Sequence, residues 1–232
     1  MATTSQSTAL LDIRARLKAE LVDQRERIAP PSGNRISTEG KQFKLPDGTV
    51  LRGNLGKTGT DGPLTCIILD WRITHMYRPG MYDAKKHEIP SCWAISRTLD
   101  CAPDPSKVTS AKHESCDGCP FNEFGSAMNQ KGKACKEGRR LAVIPADATE
   151  ETIPWILELP PTSIRGFEAY VTRLNGLGQH PMEIITEVGF ADSAYPVPVF
   201  VPQTQASDAT LAVAYALSQA PITSAALDRE PG

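Results

Sequence analysis

Charge of one sign is what this sequence lacks first. Its 25 Lys+Arg stand against 27 Asp+Glu, a net charge of −2 over 232 residues. No global basic field draws it onto nucleic acid, so such binding has to come from a local patch. Long apolar runs are missing as well. None approaches the roughly 18 residues that would cross a bilayer, and the N-terminus, MATTSQSTALLDIRARLKAE, has no basic-then-apolar signal layout. The expectation is a soluble, cytoplasmic protein that makes no use of a membrane. Catalytic signatures are also wanting. There is no GxxxxGK[ST], GxSxG or HExxH, and no acidic cluster of the metal-dependent nuclease type. Zinc deaminases need HxE followed by PCxxC. Here no proline precedes the first CxxC cysteine, and His113-Glu114-Ser115 lies in the wrong place. The chain reads as not an enzyme.

What is present suits a folded, turn-rich protein. Hydrophobic residues make up 40% and charged residues 22%, enough for a core and against disorder. Nineteen prolines and 17 glycines imply short strands and many turns rather than a helical bundle.

The six cysteines, at 66, 92, 101, 116, 119 and 135, carry the most information. Cys116-Asp-Gly-Cys119 is a CxxC with three further cysteines nearby. In a reducing compartment this favours metal over disulfide. A CxxC turn sets two thiolates on one side of a tight knuckle, and two more close a tetrahedron around zinc at about 2.3 Å. Gly118 lets the knuckle turn and Pro120 closes it. Cys66 lies in the apolar run Leu64-Thr-Cys-Ile-Ile-Leu and reads as a core residue. Cys135, in Gly132-Lys-Ala-Cys135-Lys, fits a second knuckle. The remaining ligand is Cys92 or Cys101, with Cys92 preferred; His113 is a weaker candidate. The bland alternative is free thiols and a redox CxxC, but that motif needs a βαβ setting which this loop-rich stretch does not supply. Four thiolates would close the site and make the zinc structural.

Periodicity predicts a β framework around that knuckle. An amphipathic helix over 7–28 is a packing arm or an oligomerisation element, and a homo-oligomer is compatible with the latter. A hairpin is expected over 42–51, turning at Asp47-Gly48. Strands are expected over 64–77, 91–96, 139–144, 152–159, 182–190 and 195–201. Prolines 196 and 198 confine the last to an edge. A helix is expected from Thr162 or Ser163 to Gly176 and a short one over 207–219. The division is an N-terminal helix and linker (1–33), an OB-like domain (34–203) with a zinc-knuckle insertion (97–138), and a C-terminal helix with a mobile tail (204–232). The fold class is mainly β, an OB-like barrel with one internal helix, terminal helices and an inserted zinc-binding loop; an unrelated α+β sheet is the runner-up.

Residues 131–140 hold five cations: Lys131, Lys133, Lys136, Arg139 and Arg140. Upstream, Trp71, Arg72, Tyr77, Arg78, Tyr82, Lys85, Lys86, Trp93 and Arg97 interleave aromatics with positive charge. Single strands are held this way: cations track phosphates and aromatic faces stack bases. Taken singly, each lysine also reads as a solvated surface residue, and Trp71 and Trp93 also read as core.

Three segments carry a resemblance: Cys92-Trp93, then Cys116-Asp-Gly-Cys119-Pro-Phe-Asn-Glu-Phe-Gly-Ser126, then Gly132-Lys-Ala-Cys135-Lys-Glu-Gly-Arg-Arg-Leu141. They resemble a group of phage and prophage proteins with the pattern Cys, CxxCP-x-N-x-[aromatic]-GS and GKACK-x-x-RR. Phe43-Lys-Leu-Pro-Asp-Gly48, Pro161-Thr-Ser-Ile-Arg-Gly-Phe-Glu-Ala-Tyr170 and Ile185-Thr186 extend the likeness over about residues 35–200. The resemblance implies a zinc-containing single-stranded DNA-binding protein serving replication or recombination, with proteins of those processes as further partners. It favours Cys92 as the fourth ligand. The sequence departs from the group where Ala94–Cys101 replaces a polar Asp-Gly turn, which keeps Cys101 open. The C-terminus, Leu227-Asp-Arg-Glu-Pro-Gly, lacks the acidic tail through which many such proteins recruit partners. The rival reading is a zinc-ribbon transcription or host-takeover factor that binds a protein.

Overall fold

The computed structural model describes residues 34–79 and 89–231, together with Ile13, Arg16, Leu17 and Glu20. Those four are helical and exposed; the rest of the helix expected over 7–28 lies outside the described residues, as do Tyr82, Lys85 and Lys86.

The fold is mainly β. Seven strands form one curled, half-barrel sheet in the order β1 (Arg35–Ile36), β7 (Trp155–Leu159), β6 (Cys135–Pro145), β4 (Leu64–Tyr77), β8 (Ile184–Phe190) and β9 (Pro198–Gln205), with β5 (Cys92–Ser96) also paired to β4. A separate hairpin joins β2 (Phe43–Lys44) and β3 (Val50–Leu51). Among residues 34–79 and 89–231 three α-helices complete it: α1 (Pro161–Gly176), α2 (Asp208–Gln219) and α3 (Pro221–Leu227). The sheet has more strands than the five of the expected barrel, and the long helix follows β7.

Strand β4 organises the molecule. Along one edge it pairs antiparallel with β6 from Cys66↔Pro145 to Tyr77↔Cys135. Along the other it meets β8 at its start and β5 at its end. Its early alternation sends Leu64, Cys66 and Ile68 to one core and Ile67 and Leu69 to another. A bulge between Ile68 and Asp70 then shifts the parity. Beyond it the odd residues Trp71, Ile73, His75 and Tyr77 carry on the first face, and the even ones carry on the second.

Helix α1 covers the first face. Phe167, Tyr170 and Leu174 recur at helical spacing and are all buried against Leu141, Val143 and Val188. The buried Tyr170 hydroxyl meets Thr186 Oγ1 at 2.6 Å. Pro161 opens the helix at its first turn, and Gly178, at φ +69°, turns the chain out after it. The hairpin is pinned by Phe43 stacked on Phe190, ring centroids 4.4 Å apart. Gly53 sits beside that stack at φ +70°, where a Cβ would come within 2.5 Å of Phe190; only glycine fits.

Helices α2 and α3 cover the second face. Leu217, Ala226 and Leu227 pack on Ile67, Ala142 and Ile144. This corrects the expectation of a mobile C-terminal tail. Residues 221–227 form a helix whose Leu227 is fully buried, because Ala226 and Leu227 match a face that the strands leave uncovered. As expected, β9 is an edge strand, paired among the described residues only to β8.

Candidate metal centre and the loop above it

The first face of β4 runs out from under α1 at its far end, and there the long connection between β5 and β6 covers it. Within this connection the motif residues build the turn. Cys116 donates its N–H to the Cys101 carbonyl at 2.8 Å. Gly118 takes φ +71°, as the knuckle requires. Asn122 donates its N–H to Cys119 O and its Nδ2 to Cys116 O, each at 2.8 Å. Ser126 Oγ donates to the carbonyls of Phe121 and Glu123 and accepts the Ala134 N–H. The Asn and Ser of the CxxCP-x-N-x-x-GS pattern thus hold the loop shut through its backbone. Cys135 is the first residue of β6, paired to Tyr77, rather than part of a second knuckle.

Every cysteine is buried and none is in a disulfide. Cys92, Cys116, Cys119 and Cys135 line one cavity with His75, Tyr77 and Phe121. Its volume of about 20 Å³ accommodates one ion or water. On its inner flank His75, Cys101 and Cys116 bring a ring nitrogen and two sulfurs within 4.8 Å of one another, all buried. This cluster could hold a metal. Among the described residues His75 Nδ1 has no hydrogen-bond partner, which is costly for a buried polar atom.

The electrostatics bind these groups into one unit. The Cys101 thiol is lowered below its ordinary value, chiefly by a hydrogen bond with Cys116, and Cys116 is raised by the same bond and by burial. Burial, with the neighbouring charges of Cys116, Cys119 and Cys92, pushes Cys135 up to about 12. Such thiols give up their protons to a metal more readily than to water. Burial also lowers His75 from its usual range, favouring the neutral imidazole that metals and N–H donation use. Cys66 stands apart in the core, pushed up to about 12 by burial.

The residues expected to meet DNA divide sharply. Arg72, Arg139 and Arg140 are buried, which corrects their reading as a phosphate-binding run. Arg72 is 2% exposed and pairs with Asp70 and Asp228. Its burial opposes the charge, but the hydrogen bonds to those two carboxylates outweigh this and raise its pKa. Arg139 pairs with Glu137 and Glu168. Arg140 meets Glu158 and donates to the carbonyls of Leu227 and Arg229. Trp93 is core, beside Val108 and Cys92, and Trp71 lies half-buried with its ring edge-on to Phe167. The others reach the surface around the cysteine loop. Arg78, Lys131 and Lys136 are exposed. Arg97 is exposed beside Asp70. Lys133, half-buried, donates to Asn122.

Two cation–aromatic pairs there were not singled out from sequence. Lys112 lies 6.0 Å above the Tyr77 ring, which also packs on Phe121. Lys133 lies 5.7 Å above Phe124, itself 82% exposed. Phe124 sits in the quoted CxxC segment, so an aromatic in a polar loop was the available signal. His75 gave no signal of its own, since alternation alone made it look like any strand residue. The chain matches no family model, no curated protein and no solved structure.

Proposed function

We propose that this is a sequence-nonspecific single-stranded DNA-binding protein, acting in the cytoplasm in DNA replication or recombination, whose cysteine loop is held rigid by one structural zinc ion. The observation that carries the reading is the cation-flanked Phe124. A large aromatic at 82% exposure on a loop bearing Lys131 and Lys133, with Lys136 at the start of β6, is poorly explained by packing and well suited to stacking on a base while lysines follow the phosphates. Tyr77 with Lys112 offers a second such pair. The interface is therefore smaller than the sequence suggested and excludes the three buried arginines.

The donor set suits zinc. Sulfur-rich, buried and lacking a carboxylate, it matches a closed tetrahedral centre. Cys116, Cys119 and Cys135 supply three thiolates, and Cys92 is the fourth by the sequence reading. The zinc would tie the knuckle to the start of β6, so that the lysines of 131–136 stand at fixed spacing.

A protein-binding zinc ribbon is the second reading, favoured by Leu99, Phe124 and Met128, all highly exposed on the same loop. Fluorescence anisotropy with labelled single- and double-stranded oligonucleotides of equal length, across a salt series, separates the two. Salt-sensitive binding that prefers single strands and ignores base sequence is expected. Absence of binding at low salt would overturn the DNA reading. Cys119→Ser is expected to release zinc and lower the thermal midpoint; unchanged zinc content would remove the metal assignment.

A further inference from the structure

Six metal donors converge on this end of the sheet, two more than a tetrahedral ion takes. We infer that Cys101, not Cys92, completes the zinc centre, and that His75 supports it by donating Nδ1–H to a coordinated thiolate. The inference rests on the zinc reading and names its fourth ligand.

Strand register argues against Cys92. Both Cys92 and Cys135 are paired directly with Tyr77, one from each side. The two cysteines are thus separated by two strand spacings, about 9–10 Å. Directly opposed residues project to the same face, so the Tyr77 side chain stands between them. The ring packs on Phe121 with centroids 4.5 Å apart, lies beneath Lys112 and lines the cavity that both cysteines border. Ligands on one zinc at about 2.3 Å have sulfurs under about 4 Å apart. To share one ion, Cys92 and Cys135 would have to lean together over the strand that carries Tyr77. Cys92 also has a packing role already, against Trp93 and Val108.

Cys101 is free of that obstacle. It is fully buried and packs on Ala94 and Cys116. Ala94 is the residue of β5 paired with His75, so the small side chain there leaves room above the strand. The Cys101 carbonyl holds the Cys116 N–H, fixing the two residues side by side before any metal binds. Its sulfur lies within 4.8 Å of both the Cys116 sulfur and a His75 ring nitrogen. The unpartnered Nδ1 of His75 then has a reason: a thiolate that carries metal charge accepts N–H bonds, and such outer partners are what hold ligands in place.

Zinc content and the visible spectrum of the Co²⁺-substituted full chain test this, with folding checked by circular dichroism. Cys92→Ala is expected to keep the wild-type zinc content, and Cys101→Ala to lose it. Should Cys101→Ala not fold, Cys101→His gives the answer. It is expected to retain the ion with a weaker sulfur-to-cobalt charge-transfer band, one thiolate having become an imidazole. His75→Leu is expected to weaken zinc binding by about 10–100-fold in chelator competition, and His75→Gln, which can still donate, to restore most of it with an unchanged cobalt spectrum. Folded Cys92→Ala protein without zinc, or a Cys101→His cobalt spectrum identical to wild type, would overturn the assignment. A wild-type chain that binds no zinc would instead remove the metal reading beneath it.

Discussion

Arginine is the residue that changes meaning between sequence and structure. In the run Lys-Glu-Gly-Arg-Arg the two arginines look like the basic patch itself, yet each is committed to a carboxylate or carbonyl far away in sequence: Arg139 to Glu168, Arg140 to Glu158 and to the carbonyls of Leu227 and Arg229. Removing such a partner strands buried charge and unsatisfied carbonyls. Arg140→Ala should therefore destabilise the fold by roughly 3 kcal/mol in urea titration while leaving the affinity of the folded protein for single strands unchanged. Intact stability with lost affinity would return Arg140 to the interface. Cys66 supports a second prediction. Burial pushes its thiol from the ordinary 9.0 up to about 12, so the fold favours the neutral thiol. The stability this gives is complete below about pH 9 and drains away as pH rises towards 12. Cys66→Ala should be less stable at neutral pH through lost packing, but should show a flatter decline over that alkaline window. An identical decline would mean another group governs it.

Among elements, strand β4 was the most legible and α3 the least. The 64–77 run announced itself by an apolar start and a regular alternation, and its ends match the structure. The hairpin at Asp47-Gly48 and the helix from Pro161 were legible for similar local reasons: turn chemistry in one, 3.6-residue spacing in the other. The bulge after Ile68 was not legible, because parity changes only when the partner strand β6 is laid alongside. Nor was α3, since Pro-Ile-Thr-Ser-Ala-Ala-Leu has little amphipathic character until Leu217, Ile144 and Ile67 are seen waiting for it. Of the candidate site, the CxxC and Cys135 could be read from spacing, whereas the place of His75 arises from strand pairing and the nearness of Cys101 to Cys116 from a backbone hydrogen bond within the loop. Helix α3 is accordingly structural. Leu227→Ala should cost about 2–5 kcal/mol, read from chemical denaturation. A change below about 0.5 kcal/mol, the level of surface substitutions, would show that the helix does not stay docked in solution.

At the scale of the whole molecule, the division of labour is between two ends of one sheet. One end is a hydrophobic core under α1 and α2; the other is a thiol-lined cavity under an irregular loop, with the exposed cations and Phe124 outermost. No helix among the described residues is long and apolar enough to cross a membrane. If the loop meets single strands as proposed, Phe124→Ala should weaken binding by ~1–3 kcal/mol, or ~5- to ~150-fold, with an unchanged thermal midpoint because the ring is already in water. Equal affinity in anisotropy would exclude Phe124 from the interface.

Strand β4 passes without a break from the first region into the second. Its amides at 64–69 sit between two oily layers, and those at 73–77 beneath the thiols. Deuterium uptake would then run as a gradient along a single strand. The early amides should resist exchange whether or not zinc is present. The late ones should resist only with zinc in place, so that stripping the metal frays the strand from Tyr77 inward while the fold beyond Ile68 stays closed.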